Sequence, residues 1–364
     1  MEHQRLIEIF IDLVKINALS GCESPVAEYI KSFLKDLDFN PYEDNSKKIT
    51  NSNTGNLICK CGNGGDMLLL SHMDTAAKTD GIKPKVLEDR IVTDGTTILG
   101  ADNRAGVAAI LYSIEKAKKE KIELKDFTVA FTTCEETTLG GSKNLELNGN
   151  IKKGFVFDSS YRPGKFIYSS CGAKTFSVVI NGKASHSGIE PEKGINSILA
   201  ASNAISKIQQ GRIDKDTTVN IGKFSGGSGV NIVPEKSVID GEIRSFSIDT
   251  VENVSNFIKE VFEKEASELK AVAKFSQQWD FVPYTHSLDD EVILEIKNAI
   301  ESTGLKANPV VSFGGSDANS LNAKGIKAVN IGIGAQNPHS VDEFILIEDL
   351  IKTAEIAGCL ISKK

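Results

Sequence analysis

No stretch of the 364-residue chain is apolar for long enough to cross a bilayer, which excludes a membrane-spanning helix. The amino-terminal segment, residues 1–16, is broken by Glu2, Arg5, Glu8, Asp12 and Lys15. It reads as an amphipathic helix rather than an export signal, so the cytoplasm is the expected location. A basic excess is missing too. The formal net charge is -7 with both signs interspersed, which argues against a nucleic-acid-binding face. The six cysteines include no two pairs at structural-zinc spacing. Cys59 and Cys61 share one face of a strand, and all six read as free thiols of a reducing compartment. Internal repeats, low-complexity segments and Pro-rich linkers are absent. Histidine is scarce, with five in the whole chain.

What is there is an ordinary globular composition, 40% hydrophobic and 25% charged, with length for two domains and no need of disulfide staples. Helical and strand patterns alternate at first. Helices are expected over residues 2–16, from an N-cap at Ser24 with Pro25 first in the helix, and over 104–118. Apolar strands are expected at 56–61, 67–70, 127–133 and 154–157. This predicts an α/β fold, a mixed, mainly parallel sheet covered by helices. After about Gly172 the strands, such as 175–180 and 237–243, alternate apolar and polar residues, as in an antiparallel sheet with one wet face. Two helical patterns lie among them, near 195–208 and 251–266, so an inserted α+β sandwich of roughly 100 residues is expected. From about Tyr284 the first texture returns, with a helix at 289–302, strands near 309–312 and 328–331, and a closing helix from Ile347. The expected division is a discontinuous domain, 1–173 and 284–364, interrupted by an inserted domain, 174–283.

Chemistry concentrates at strand ends. The run Leu68-Leu69-Leu70-Ser71-His72-Met73-Asp74 delivers a His and an Asp on one strand face, and Asp74 suits the task of fixing the His72 tautomer. In Gly100-Ala101-Asp102-Asn103, Asp102 sits where a loop enters a helix, and taken alone it reads as an N-cap. Glu135 and Glu136 follow an apolar strand. Adjacent carboxylates there repel unless a metal or a proton intervenes, although an exposed acidic turn would also explain them. Asp158 ends another apolar strand, and His339 lies in Asn337-Pro338-His339-Ser340. Active sites of open α/β sheets lie outside the carboxyl ends of the strands. His72, Asp102, Glu136, Asp158 and His339 converge on that edge as an N/O ligand set without thiolate, suited to a hydrolytic two-metal centre.

The sequence resembles the co-catalytic zinc peptidase family that includes peptidase T, carboxypeptidases, aminoacylases and desuccinylases, and its peptidase T-like branch fits best. The resemblance runs in order through His72-Met73-Asp74-Thr75, Gly100-Ala101-Asp102, Glu135-Glu136, Asp158, Ser185-His186-Ser187-Gly188, Gly229-Val230-Asn231-Ile232-Val233-Pro234, Arg244 and Gly314-Gly315-Ser316-Asp317. It implies two zinc ions, one on His72 and Asp158, the other on Glu136 and His339, with Asp102 bridging. Manganese or cobalt would suit the same ligands. It also implies that Asp74 orients His72, that Glu135 is the general base, and that the Asp102–Asn103 peptide is cis. The inserted domain would act as a lid and dimerisation domain, giving a homodimer. His186, Asn231 and Arg244 would reach the substrate, Arg244 through its bidentate fork. A turn and a surface ion pair are the plainer readings of Asn231 and Arg244. Asn103 departs from the family, where Asp is common. The implied activity is hydrolysis of short peptides, as by a di- or tripeptide-type aminopeptidase. An N-acyl amino acid amidase would use the same metals, and a non-catalytic binding protein is disfavoured by the intact Glu135.

Overall fold

Four apolar runs become parallel neighbours in one sheet, in the order Phe127–Thr132, Met67–His72, Lys153–Ser159, Lys327–Gly332. Every residue of the first two is buried, as continuous apolar strands covered on both faces must be. Antiparallel strands flank them: Leu57–Cys61 and then Tyr42–Glu43 on one side, Lys165–Ser170 on the other. The computed structural model describes residues 3–363.

The chain forms two compact units, one of residues 1–169, 286–311 and 316–364, the other of 170–285 and 312–315. In the first, Leu69, Val129, Phe131, Phe155, Phe157, Val329 and Ile331 face a large core shared with the helices Gln4–Val14, Ala101–Lys119, Glu291–Ser302 and Ile347–Ile361. Strand alternation sends Leu68, Leu70 and Val156 to the opposite face. The short helix Asp317–Ala323 packs there, its Leu321 against the position of Gly154. A small antiparallel sheet of Lys85–Val86, Arg90–Val92, Phe344–Leu346 and Ala335–Gln336 completes the unit.

The second unit is a five-stranded, wholly antiparallel sheet with Gly172–Asn181 between Lys236–Ser245 and Val272–Phe281. The strands Gly172–Asn181 and Lys236–Ser245 bury nearly every second residue, and the helices Ser197–Ile205 and Ile248–Glu268 cover the apolar face. Asn196 and Ser247 cap these helices through side-chain oxygens. Gly241 is required where it stands, because a Cβ there would meet the ring of Phe176 at 2.3 Å.

One local expectation is corrected. Ser24 is the first helical residue of Ser24–Lys35 rather than its cap. Glu23 holds the capping position with its backbone carbonyl, which accepts the Val26 and Ala27 N–H groups, while its side chain makes no capping bond because the buried carboxylate is engaged by Gly21, Ser52 and Cys134. Among the described residues no helix is long and apolar enough to cross a membrane.

Candidate active site

Parallel strands bring their carboxyl ends to one edge, and this edge collects the polar residues. His72 ends the strand Met67–His72 and is 1% exposed. Its Nδ1 lies 3.3 Å from Asp74 Oδ1 and 3.1 Å from the Asp74 carbonyl oxygen. Its Nε2 is 3.2 Å from Asp102 Oδ1 and 3.1 Å from Asp158 Oδ1. Burial disfavours a charged ring, but Asp102, Asp158 and Asp74 outweigh it and hold His72 well above the usual histidine range.

Asp102 is not an N-cap. Gly100, at φ +72°, takes that position, and Asp102 and Asn103 depart from helical angles inside the first turn. The Asp102–Asn103 peptide is cis. Gly106 lets the helix approach the strand ends, since a Cβ there would meet the Phe157 carbonyl oxygen at 2.4 Å and Ser71 Oγ at 2.6 Å. Asn103 donates through Nδ2 to Asp158 Oδ1 at 3.0 Å and accepts the Gly106 N–H at 3.2 Å. An Asp would oppose the Asp158 carboxylate, so this departure from the family has a local fit.

Glu135 and Glu136 follow Cys134, whose φ of +52° turns the chain after the strand Phe127–Thr132. Asp74 holds this turn as well as His72. Its Oδ1 accepts the Glu135 N–H and its Oδ2 the Glu136 N–H, each at 3.1 Å. Glu136 Oε2 lies 3.0 Å from His339 Nε2, and Asp102 Oδ2 lies 3.5 Å from the same nitrogen. These two partners push His339 up to about 10. Burial opposes ionisation of Asp102, yet His339 and His72 hold it at about 2. Glu135 is the reverse case. Burial, reinforced by the charge of Asp158, holds it well above the usual carboxylate range.

The donor set fits divalent cations. His72, Asp102 and Asp158 offer ligand atoms within 4.8 Å of one another, as do Asp102, Glu136 and His339. Asp102 belongs to both groups. Glu136 Oε1 is buried with no hydrogen-bond partner. Carboxylates this close need positive charge between them, and imidazole with carboxylate is the donor chemistry of zinc, manganese and cobalt.

Sequence reading gave no role to four buried groups around this centre. Glu343 accepts the Gly100 N–H at 2.7 Å and the Asp102 N–H at 3.0 Å. Glu23 Oε1 accepts the Gly21 and Cys134 N–H groups, each at 2.9 Å. Asp317, pushed up to about 6 by burial, takes the Thr132 hydroxyl. Arg104, fully buried, donates to the carbonyls of Met73 and Ile16. Glu343, an acid whose backbone partners lie some 240 residues away, leaves no periodic trace.

The other three candidates belong to the second unit. His186 is exposed, and its Nδ1 accepts the Gly188 N–H at 3.2 Å, which leaves the proton on Nε2. Asn231 is exposed beside it in chain pairing, its carbonyl accepting the Ser187 N–H at 3.0 Å. Arg244 spends Nε and Nη2 on Glu242, at 2.7 and 2.8 Å, and Nη1 on the Phe313 carbonyl at 2.7 Å. A substrate carboxylate would have to displace Glu242 to use the fork.

Residues 168–270 match the family model of the peptidase dimerisation domain, and residues 84–165 match that of the M42 glutamyl aminopeptidases. The chain is 36% identical to the Bacillus subtilis protein YqjE, over 100% of this chain and 99% of that one. Among solved structures, the aminopeptidase PepT of Bacillus cereus is 34% identical with a TM-score of 0.92, covering 99% of this chain and 98% of its own. A tripeptidase of Staphylococcus aureus is 32% identical with a TM-score of 0.94, covering 99% and 97%.

Proposed function

The chain belongs to the M20 metallopeptidases, in their peptidase T branch, and hydrolyses short peptides; we propose that it does so with two zinc ions and with Glu135 as general base. The observation that carries this reading is the membership of Asp102 in both ligand groups. A carboxylate with one oxygen toward His72 and the other toward His339 would suit sharing by two ions.

His72 and Asp158 would complete one ion's ligands, Glu136 and His339 the other's. The bound pair would supply a water that ionises near neutral pH and a Lewis acid for the scissile carbonyl. Glu135 is buried beside His72, with Oε2 at 3.9 Å from its Nε2, and has no ligand duty in either group. It is therefore free to take the proton of the attacking water and return it to the leaving amine. Asp74 fixes His72 and both glutamate amides, so it orients the base and two ligands together. His186, with its proton on Nε2, would donate to the carbonyl oxygen as charge builds there, and Asn231 and Arg244 would hold the substrate. The dimerisation-domain match supports a homodimer through the second unit, and the free cysteines support a reducing, cytoplasmic setting.

The test is hydrolysis of a tripeptide panel by protein stripped of metal and then refilled with zinc. Activity should vanish on stripping, return with about two zinc ions per chain, and fall by about 10²- to 10⁴-fold in Glu135→Gln. Two bound ions with cleavage of N-acyl amino acids alone would move the reading to an amidase. Wild-type activity in Glu135→Gln would end the assignment of the base.

A further inference from the structure

We propose that Glu343 is a positioning residue for Asp102 and that it sets the metal affinity of the site. The inference rests on the two-metal reading above. Glu343 is 1% exposed, and both carboxylate oxygens are spent on backbone amides of one loop, Oε2 on Gly100 and Oε1 on Asp102. No lysine, arginine or histidine pairs with it among the described ion pairs. A buried carboxylate held only by N–H groups is a fixed clamp: each donor it satisfies has no water to replace it.

The clamp acts where aim matters. Asp102 has to present one oxygen to the His72 side and the other to the His339 side, and its backbone N–H is one of the two bonds Glu343 accepts. Gly100, at φ +72°, lets both amides converge on one carboxylate. The clamp and a ligand also share one segment. Glu343 follows His339 by four residues, and its N–H bonds the Ser340 carbonyl at 3.1 Å, closing the loop between them. A single short loop therefore supplies His339 and fixes the position of Asp102 relative to it.

Glu343→Gln is the direct test. The amide keeps one acceptor and turns an NH₂ toward a backbone N–H, so both amides cannot be satisfied. Zinc affinity, measured by competition with a chromophoric chelator, should fall by about 10- to 100-fold while the metal-free variant melts within a few degrees of wild type. Should Glu343→Gln fail to fold, Glu343→Asp, which keeps the charge and shortens the reach, is judged by the same two readouts. A folded variant with wild-type zinc affinity overturns the assignment. A wild-type protein that binds no zinc instead overturns the metallopeptidase chemistry itself, so the two failures are distinguishable.

Discussion

The two units bury polar groups in opposite ways. In the first, carboxylates and a guanidinium lie inside: Glu23, Asp74, Arg104, Asp317 and Glu343 are all under 2% exposed. In the second, the buried polar residues are mostly hydroxyls, four of which pair with one another, Ser197 with Ser237 at 2.8 Å and Thr217 with Ser245 at 3.0 Å. Its two buried charges, Lys174 and Glu265, each meet an ion-pair partner, Glu252 and Lys207. Its candidate functional residues His186 and Asn231 are exposed. Buried ionic groups are costly and weak sources of stability, so a concentration of them marks a place where geometry is being held. The first unit is built to hold atoms still. The second carries its polar groups outward on an ordinary antiparallel scaffold.

The largest effect that would sharpen this contrast is metal removal. Stripping should abolish hydrolysis, and zinc at about 1,000 times its dissociation constant should stabilise the binding unit by about 4 kcal/mol. Hydrogen exchange should localise that gain to the amides of 99–103 and 134–139, the segments of the proposed ligands Asp102 and Glu136, and leave 172–181 unchanged. Equal protection of both units would break the contrast. Next is His186→Ala. Removing an exposed side chain should lower kcat by about 10²- to 10³-fold while zinc affinity stays at wild-type level. A loss of zinc affinity in this variant would place His186 with the metal ligands instead.

These predictions separate what sequence reading reaches from what it does not. His72, Glu136 and Asp158 stand at or just after apolar strands, and an acid or imidazole ending a buried run is visible in a single sequence. Glu343 and Glu23 are invisible to that reading, because each acts on backbone amides contributed by residues 241 and 111 positions away. The fold divides in the same way. Continuous apolar strands announced the parallel sheet. The strands Thr217–Gly226 and Val272–Phe281 bury only part of one face, and the small sheet of the first unit is made of strands two or three residues long, so neither shows a pattern. Arg244 shows a further limit: a bidentate fork and an ion pair can both be read from residue type, but not that the partner is Glu242, two positions earlier.

Asp74 gives a middle-sized effect, and one confined to the first unit. It bonds His72 and the amides of Glu135 and Glu136, and accepts the Ser20 hydroxyl at 2.6 Å. Asp74→Asn keeps the shape but replaces an acceptor by a donor, leaving at least one amide unsatisfied. Denaturant unfolding should show a loss of about 1–3 kcal/mol, with a drop of about 10- to 100-fold in zinc affinity. Ser197→Ala, which breaks a buried hydroxyl pair of the second unit, should cost stability at similar scale and leave zinc affinity alone. If both variants weaken zinc binding equally, buried polarity in the two units does not differ in purpose.

The smallest effect concerns ion pairs outside any site, where the two units should behave alike. Burial alone would raise Glu115, but Arg5 and Lys119 outweigh it and hold its carboxyl below its ordinary 4.5. Glu252 of the second unit is likewise held below its ordinary value, by Lys174 and Trp279. A carboxyl whose value is depressed on folding contributes stability above its unfolded value and loses it as pH falls through the folded one. Arg5→Ala should therefore cost about 0.5–1 kcal/mol at pH 7, and the difference from wild type should shrink once the pH drops below about 4.5 and close as Glu115 protonates. Lys174→Ala should show the same pH sign for Glu252. Denaturant midpoints measured from pH 7 down to pH 3 check both. A difference that grows as the pH falls would mean that these cations are stabilising something other than the carboxylates they face.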